Sequence, residues 1–324
     1  MKRLHLTLAC GDYEITRPLV EGVVQPEGID LTVLTGQMPE RNFRMSRFEE
    51  FDVCEYSLSG YVVGRSQGRA FTGIPVFLHR RFRHSYVFVN TSRIHRPADL
   101  AGGRVGLREW IATAGVWARG ILKHTYGVPT ETIEWVTKDP EDVPLDFARF
   151  RNHRVRLSES ERHVDELLVS GELDAVIFPE TLPSIRQGRP EVARLFPDSK
   201  AEEIAYYQST RIFPIMHVTV IKNAILERHP WVARSLFKAF EQAKQVAYAR
   251  MRDPRRFPYA WIMLLGEEQE KILGADPWAY GIEPNRHVLE TFLNYAVEQE
   301  LSPTRYTVDE LFHPSVLGPL PAYF

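Results

Sequence analysis

Cysteine is scarce. Cys10 and Cys54 are the two in 324 residues, both inside apolar segments, far apart and outside any CxxC pattern. No disulfide framework or thiolate zinc site is expected, and both thiols read as small buried hydrophobes. An excess of one charge is also missing: 40 Lys and Arg stand against 42 Asp and Glu, a formal net charge of −2. That balance argues against a dedicated nucleic-acid or membrane-surface binder. No apolar run is long enough to span a bilayer. In the N-terminal "MKRLHLTLACGDYEITRP", His5 and Thr7 interrupt the apolar residues, and Asp12, Glu14 and Arg17 follow at once. With no apolar h-region and no small-residue cleavage site, a signal peptide is not expected, and the protein is expected in the cytoplasm. HExxH, P-loop, GxGxxG and GxSxG patterns are absent as well, and "AGGRVG" reads as a turn into a strand rather than a phosphate loop.

What is present is an ordinary globular composition, 44% hydrophobic and 25% charged, at a length that suits two domains or one large α/β unit. "LHLTLAC" alternates like a strand, "GIDLTVL" follows as a second, and "DYEITRPLVEG" between them fits one helix capped near Asp12. A helix, the short strand "FDVCEY" and another helix come next, then the strands "FTGIPVFL" and "SYVFVN". Further on, "RPADLAGGRVGL", the helix "TAGVWARGILKHTYG" closed by Gly127, "IEWVT" and "SERHVDELLVSGELDAVIF" alternate strand and helix. Such alternation predicts βαβ units and a parallel sheet covered by helices. Residues 138–156 are charged and without a clean period, hence loop and edge structure. The strand "IFPIMHVTVIKN" opens the second half. Val232, Leu236, Phe240, Ala243 and Ala247 then recur at helical spacing, the stripe of a helix packed on a sheet. The clearest C-terminal helix is "PNRHVLETFLNYAVEQE", and no internal repeat or low-complexity tract interrupts the chain.

This order of elements resembles the type II periplasmic-binding-protein fold, which implies two α/β lobes with a ligand cleft between them. The crossovers are expected near residues 86–92 and 208–216, with residues 1–89 and 213–324 in one lobe and 90–212 inserted as the other. The blocks "LACGDYEITRPLVEGVVQPEGIDL", "FDVCEYSLSGYVV", "IPVFLHRRFRHSYVFVN", "TAGVWARGIL", "RIFPIMHVTVI", "ERHPWVARSLFKAFEQAK" and "DPWAYGIEPNR" resemble the 4,5-dihydroxyphthalate decarboxylase family over nearly the whole chain. The resemblance implies non-oxidative decarboxylation of a dihydroxylated aromatic diacid such as 4,5-dihydroxyphthalate, with no organic cofactor. Three features depart from the family pattern. Residues 138–165 lack its "PPG-x-x-L" approach and carry Arg149, Arg151, Arg154 and Arg156, Glu180 stands where many relatives have Arg, and Arg108 where they have Pro.

Losing a carboxylate from an electron-rich ring requires cations to hold the carboxylate, polarisation of the ring hydroxyls and delivery of a proton to the ipso carbon. In "RRFRHS", Arg80 or Arg81 and Arg83 supply the planar fork that matches a carboxylate, with Ser85 beside them. His84 is the expected proton donor and His217, in "FPIMHVTV", the competing one; for each the alternative is a hydrogen-bonded structural histidine. Glu55, at the carboxyl end of a strand, is a base or hydroxyl acceptor, or else a helix-capping carboxylate. Ser57 and Ser59 are helix caps or ligands. Arg17, Thr113 at a helix N-terminus, and Arg211 complete the expected binding set, together with Arg119, for which an ordinary surface charge is the competing reading. The remaining histidines, His79 among them, read as structural or solvated. The spacing of His84, His217 and Glu55 gives no positive sign of a metal site, and none is expected. A small aromatic carboxylate is the expected partner, and the sequence is compatible with a homo-oligomer without fixing one. The rival class is a solute-binding protein that captures an aromatic anion without turnover; against it stand the missing signal peptide and two protonatable histidines. A ligand-sensing regulator would want a DNA-binding segment, and no helix-turn-helix extension is visible.

Overall fold

The computed structural model describes residues 3–318. Its strands, in chain order, are β1 (Leu4–Cys10), β2 (Ile29–Thr35), β3 (Val53–Ser57), β4 (Phe71–Ile74), β5 (Val87–Asn90) and β6 (Arg104–Leu107), then β7 (Glu134–Thr137), β8 (Arg154–Leu157), β9 (Ala175–Ile177), β10 (Val192–Arg194) and β11 (His217–Lys222). They form a five-stranded sheet of order β2-β1-β3-β11-β4 and a six-stranded sheet of order β10-β5-β9-β6-β7-β8. Among the described residues no helix is long and apolar enough to cross a membrane.

Neither sheet is wholly parallel. β1 runs parallel to β2 and β3, but β11 is antiparallel to β3 and β4. In the other sheet β6 is parallel to β7 and β9, whereas β5 is antiparallel to β9 and β10. β5 and β11 are the first strands after the chain changes sheet. Each enters against the direction of its neighbours, which a run of βαβ crossovers does not produce.

The chain divides into two compact units. One comprises Met1–Arg80, Ile215–Glu290 and Tyr306–Phe324, the other Arg81–Pro214 and Thr291–Arg305. The division differs from boundaries at residues 89/90 and 212/213. Pairing of β5 with β9 and β10 draws residues 81–89 into the second unit, and residues 291–305 join it through the packing of Tyr295 and Gln299 on the helix Thr113–His124.

The core of the first unit lies between its sheet and the helix Trp231–Met251. It brings Leu6, Leu8, Val53 and Ile221 against Val232, Leu236, Phe240, Ala243 and Ala247, so the helical stripe buries as its spacing predicts. That helix is separate from Asn223–Arg228, because Pro230 cannot donate a backbone N–H to a continuing ladder. The expected helix from Asp12 to Gly22 is a four-residue turn, Arg17–Val20, capped at Thr16 rather than Asp12. Ser85 and Tyr86, expected as the start of a strand, lie instead in a 3-10 turn, His84–Tyr86, before β5. Residues 138–156 are mostly loop, and β8 is the edge strand that ends the second sheet. Cys10 and Cys54 are both free and fully buried.

In the second unit a Cβ added at Gly120 meets the Tyr295 ring at 2.1 Å. The ring is itself stacked on His124 at 5.1 Å and has little room to yield. Gly120→Ala is expected to destabilise the protein by about 1–3 kcal/mol through overpacking. Urea unfolding followed by tryptophan fluorescence checks this, and an unchanged midpoint would show that the contact is loose.

Candidate active site

In the first unit, four polar side chains, His217, Tyr13, Arg41 and His79, gather around Glu55, near the carboxyl ends of β1 and β3 and the start of β11. Register explains the central pair. His217 lies opposite Ser57, and Thr219 opposite Glu55, so His217 and Glu55 are diagonal neighbours on one face of the sheet. His217 Nδ1 is 2.5 Å from Glu55 Oε1. Tyr13 donates its hydroxyl to the same oxygen at 2.9 Å, and the Gly11 amide donates to Oε2 at 2.7 Å. From the helix Met38–Phe48, Arg41 places Nη2 2.9 Å from Oε2 and donates Nε to the Glu55 carbonyl at 3.0 Å. His79 packs edge-on against His217, with ring centroids 4.7 Å apart.

The turn after β1 is built for this geometry. Thr16 donates its hydroxyl to the Gly11 carbonyl at 3.1 Å, and a Cβ at Gly11 meets the Tyr13 ring at 2.2 Å. Only glycine lets the ring fold back over the strand end onto the carboxylate.

Glu55 is completely buried. Burial alone raises a carboxyl pKa, but the Arg41 guanidinium, then His217 and the Gly11 amide, outweigh it and hold Glu55 below the ordinary carboxylate range. Glu55 is therefore an anion, with acceptor sites filled from four directions. Burial, followed by the Glu55 charge, pushes the Tyr13 phenol above its usual value and keeps it a neutral donor. The carboxylate fixes the proton of His217 on Nδ1. Among the described residues, Nε2 of His217 has no hydrogen-bond partner, and it is the ring nitrogen left for chemistry.

Of the expected site residues, this arrangement unites Glu55 and His217. Glu55 is not a helix cap; Ser57 is, accepting the Gly60 amide at 3.3 Å, with Ser59 3.1 Å from it inside the helix. Arg17 starts the turn that follows Tyr13, half-exposed, and pairs with Asp12 at 2.8 Å and Glu14 at 3.6 Å. Arg80 is buried and donates to the Ala279 carbonyl at 2.9 Å and to Asn285.

The other expected residues belong to the second unit. His84 is 1% exposed, ringed by Phe196, Tyr206 and Tyr126, and neither of its ring nitrogens has a hydrogen-bond partner. Burial lowers its pKa from 6.5 to about 4. A neutral, enclosed imidazole does not favour the proton-donor role expected of it. Arg83 is buried over the Tyr86 ring and donates to the Phe178 carbonyl at 2.9 Å. Ser85 donates its amide and hydroxyl to Glu203 at 2.9 and 2.7 Å. Arg119 is not a surface charge: it lies buried 3.6 Å over the Trp110 ring and donates to Gln299 and the Trp110 carbonyl, each at 2.7 Å. Thr113 is buried in the first turn of its helix, Arg211 is exposed at a helix C-terminus, and Glu180 is exposed. Arg108 is held by Asp139 at 3.1 Å.

Sequence reasoning misses Tyr13, Arg41 and His79. Their signal is slight: Tyr13 follows the Gly-Asp that ends the first strand, while Arg41 and His79 look like ordinary charges. Among the described residues no group of three or more His, Cys, Asp or Glu is arranged to hold a metal ion.

Similarity to known proteins bears on this site. The chain is 36% identical over 331 residues to 4,5-dihydroxyphthalate decarboxylase of Comamonas testosteroni, covering 98% of each. The chain belongs to the 4,5-dihydroxyphthalate decarboxylase family. The Pseudomonas putida enzyme of the same name is 34% identical over 221 residues, covering 64% of this chain and 83% of that one. No family model matches. Among solved structures, the sulfonate-binding protein SsuA of Methylobacillus flagellatus KT superposes with a TM-score of 0.56 at 14% identity, covering 98% of this chain and 93% of that one. SsuA of Escherichia coli gives 0.55 at 10%, with 98% and 99% covered. The desulfurization enzyme DSZB gives 0.51 at 16%, with 97% and 98% covered. This member of the decarboxylase family thus has the fold of periplasmic solute-binding proteins.

His84 offers a test of its neutral burial. Its pKa is 6.5 unfolded and about 4 folded, so the unfolded chain takes up the proton first as pH falls. The associated stability is present above pH 6.5 and is lost as pH drops toward about 4, roughly 3 kcal/mol in all. Urea unfolding at pH 7 and pH 4.5 is expected to show a smaller loss in His84→Leu than in the wild type. Equal losses would mean His84 is not held neutral.

Proposed function

We propose that this protein is a cytoplasmic decarboxylase of a dihydroxylated aromatic diacid of the 4,5-dihydroxyphthalate class, and that His217, positioned by Glu55, delivers the proton. The observation that carries the residue assignment is the 2.5 Å contact of His217 Nδ1 with an obligate buried carboxylate, combined with an unpartnered Nε2. Family membership over the whole chain supports the reaction class.

In the proposed step the His217 imidazolium gives its Nε2 proton to the ring carbon that bears the carboxylate. The carbon–carbon bond then breaks, its electron pair restores the aromatic ring, and carbon dioxide leaves. The imidazole remains neutral, with Nδ1–H still on Glu55, and is reprotonated from solvent. Breaking aromaticity is the demanding part, so a fixed donor matters more than a strong one. Arg17 is the cation proposed for a substrate carboxylate: it is half-exposed and follows Tyr13 and Thr16 directly, whereas the Arg80 and Arg83 guanidinium groups donate to backbone carbonyls.

The test is release of carbon dioxide from 4,5-dihydroxyphthalate without added cofactor. His217→Ala is expected to lower kcat by about 10²–10⁴-fold with little change in KM, and His84→Ala to lower it far less. Glu55→Gln should reduce kcat as well and cost about 3–5 kcal/mol of stability, because Arg41 is left as an unpaired buried charge. Wild-type turnover in folded His217→Ala would remove the assignment. Tight binding with no turnover across hydroxylated benzoates and phthalates would return the chain to the anion-capture class.

A further inference from the structure

In the first unit, the helix Ile262–Leu273 has no buried side chain among its 12 residues. Helices of this length are held in place by an apolar face, yet here much of the apolar surface is open. Tyr259 is 70% exposed, Trp261 71%, Leu264 61% and Leu265 51%. Trp261, Leu264 and Leu265 stand at i, i+3 and i+4, so they share one face, while Ile262, Met263, Ile272 and Leu273 are half-buried. An exposed Trp and Tyr beside two leucines marks an interaction surface rather than scattered surface hydrophobes.

The charges around this patch are ordered along the chain. Arg252, Arg255 and Arg256, all exposed, precede it, Arg255 being paired with Asp253 at 2.8 Å, and Glu267 and Glu270, also exposed, follow it on the helix ahead of Lys271, so each end carries a net charge of one sign. The layout is basic, apolar, acidic. Such a stretch is complementary to itself when two copies run antiparallel: the basic end of each meets the acidic end of the other, and the two apolar faces meet in the middle. This is the geometry of an isologous two-fold contact.

We propose that residues 252–270 form a self-complementary interface through which two copies of this chain associate. The occupant is a second copy, because a partner of single charge would satisfy one end of the stretch and oppose the other. The aromatic pair supplies the anchors, and the flanking charges fix the antiparallel register.

Sedimentation velocity over a concentration series tests the proposal. The full-length protein is expected to dimerise, and Trp261→Glu to weaken the dimer by about thirtyfold or more. Charge swaps keep the test open should that variant fold poorly. Chains carrying Glu267→Arg with Glu270→Arg, and chains carrying Arg255→Glu with Arg256→Glu, are each expected to be monomeric alone and to form a mixed dimer together. A wild-type monomer at every concentration, an assembly untouched by these changes, or swapped chains that fail to pair when mixed would overturn the proposal. So would binding of the monomer to anionic phosphatidylserine vesicles that is lost in Trp261→Glu, which would make the patch a membrane contact.

Discussion

A carboxylate with no access to water governs the first unit. Taking Glu55 out of solvent costs several kcal/mol, even after the surroundings relax. The structure answers with a guanidinium, a backbone amide, a phenol and an imidazole, contributed by three separate stretches of chain: the turn after β1, the helix Met38–Phe48 and the start of β11. Each of these stretches is consequently tied to the position of one side chain. Arg41 is bound as tightly as Glu55, since its guanidinium is buried too and also holds the Gly36 carbonyl at 2.8 Å. Ion pairs of this kind seldom add net stability over a packed apolar core, but they specify geometry strongly because every broken contact strands a charge. What the arrangement specifies here is the orientation of one imidazole.

The same fold serves proteins named for capture and proteins named for chemistry, so architecture alone does not decide between them. The decision rests on side chains. Capture of an anion needs donors and cations at fixed positions. A histidine braced by a buried anion adds a proton that can be placed and replaced. The scaffold suits proton delivery, because strand ends in open α/β sheets bring residues distant in sequence to one point. Rigid strands also hold those residues more closely than loops would.

Much of this is legible in the sequence, and the limits have physical causes. Strand alternation in "LHLTLAC" and the helical stripe from Val232 to Ala247 report directly on burial, and both appear as expected in the structure. Glu55 and His217 are visible because a charge and an imidazole at strand ends, within otherwise apolar runs, need a reason. Arg41 is not visible: in "MPERNFRMSRF" it is one of three arginines, and only tertiary packing buries it while Arg44 and Arg47 keep contact with water. The enclosure of His84 is hidden for the opposite reason. An Arg-His-Ser triplet before an apolar run suggests a strand mouth, but nothing local reveals that three aromatic rings from other segments close over it. The antiparallel entry of β5 and β11 escapes pattern reading as well, since strand periodicity carries no direction.

Ionised Glu55 holds the His217 proton on Nδ1 and leaves Nε2 for chemistry, and the proposed proton delivery depends on that tautomer. Nitrogen-15 NMR of histidine-labelled protein, assigned with His217→Gln, reads it directly. Neutral His217 is expected to show a protonated Nδ1 and an unprotonated Nε2, and Glu55→Gln to abolish that preference. A His217 resonance pattern with the proton on Nε2 in the wild type would contradict this assignment.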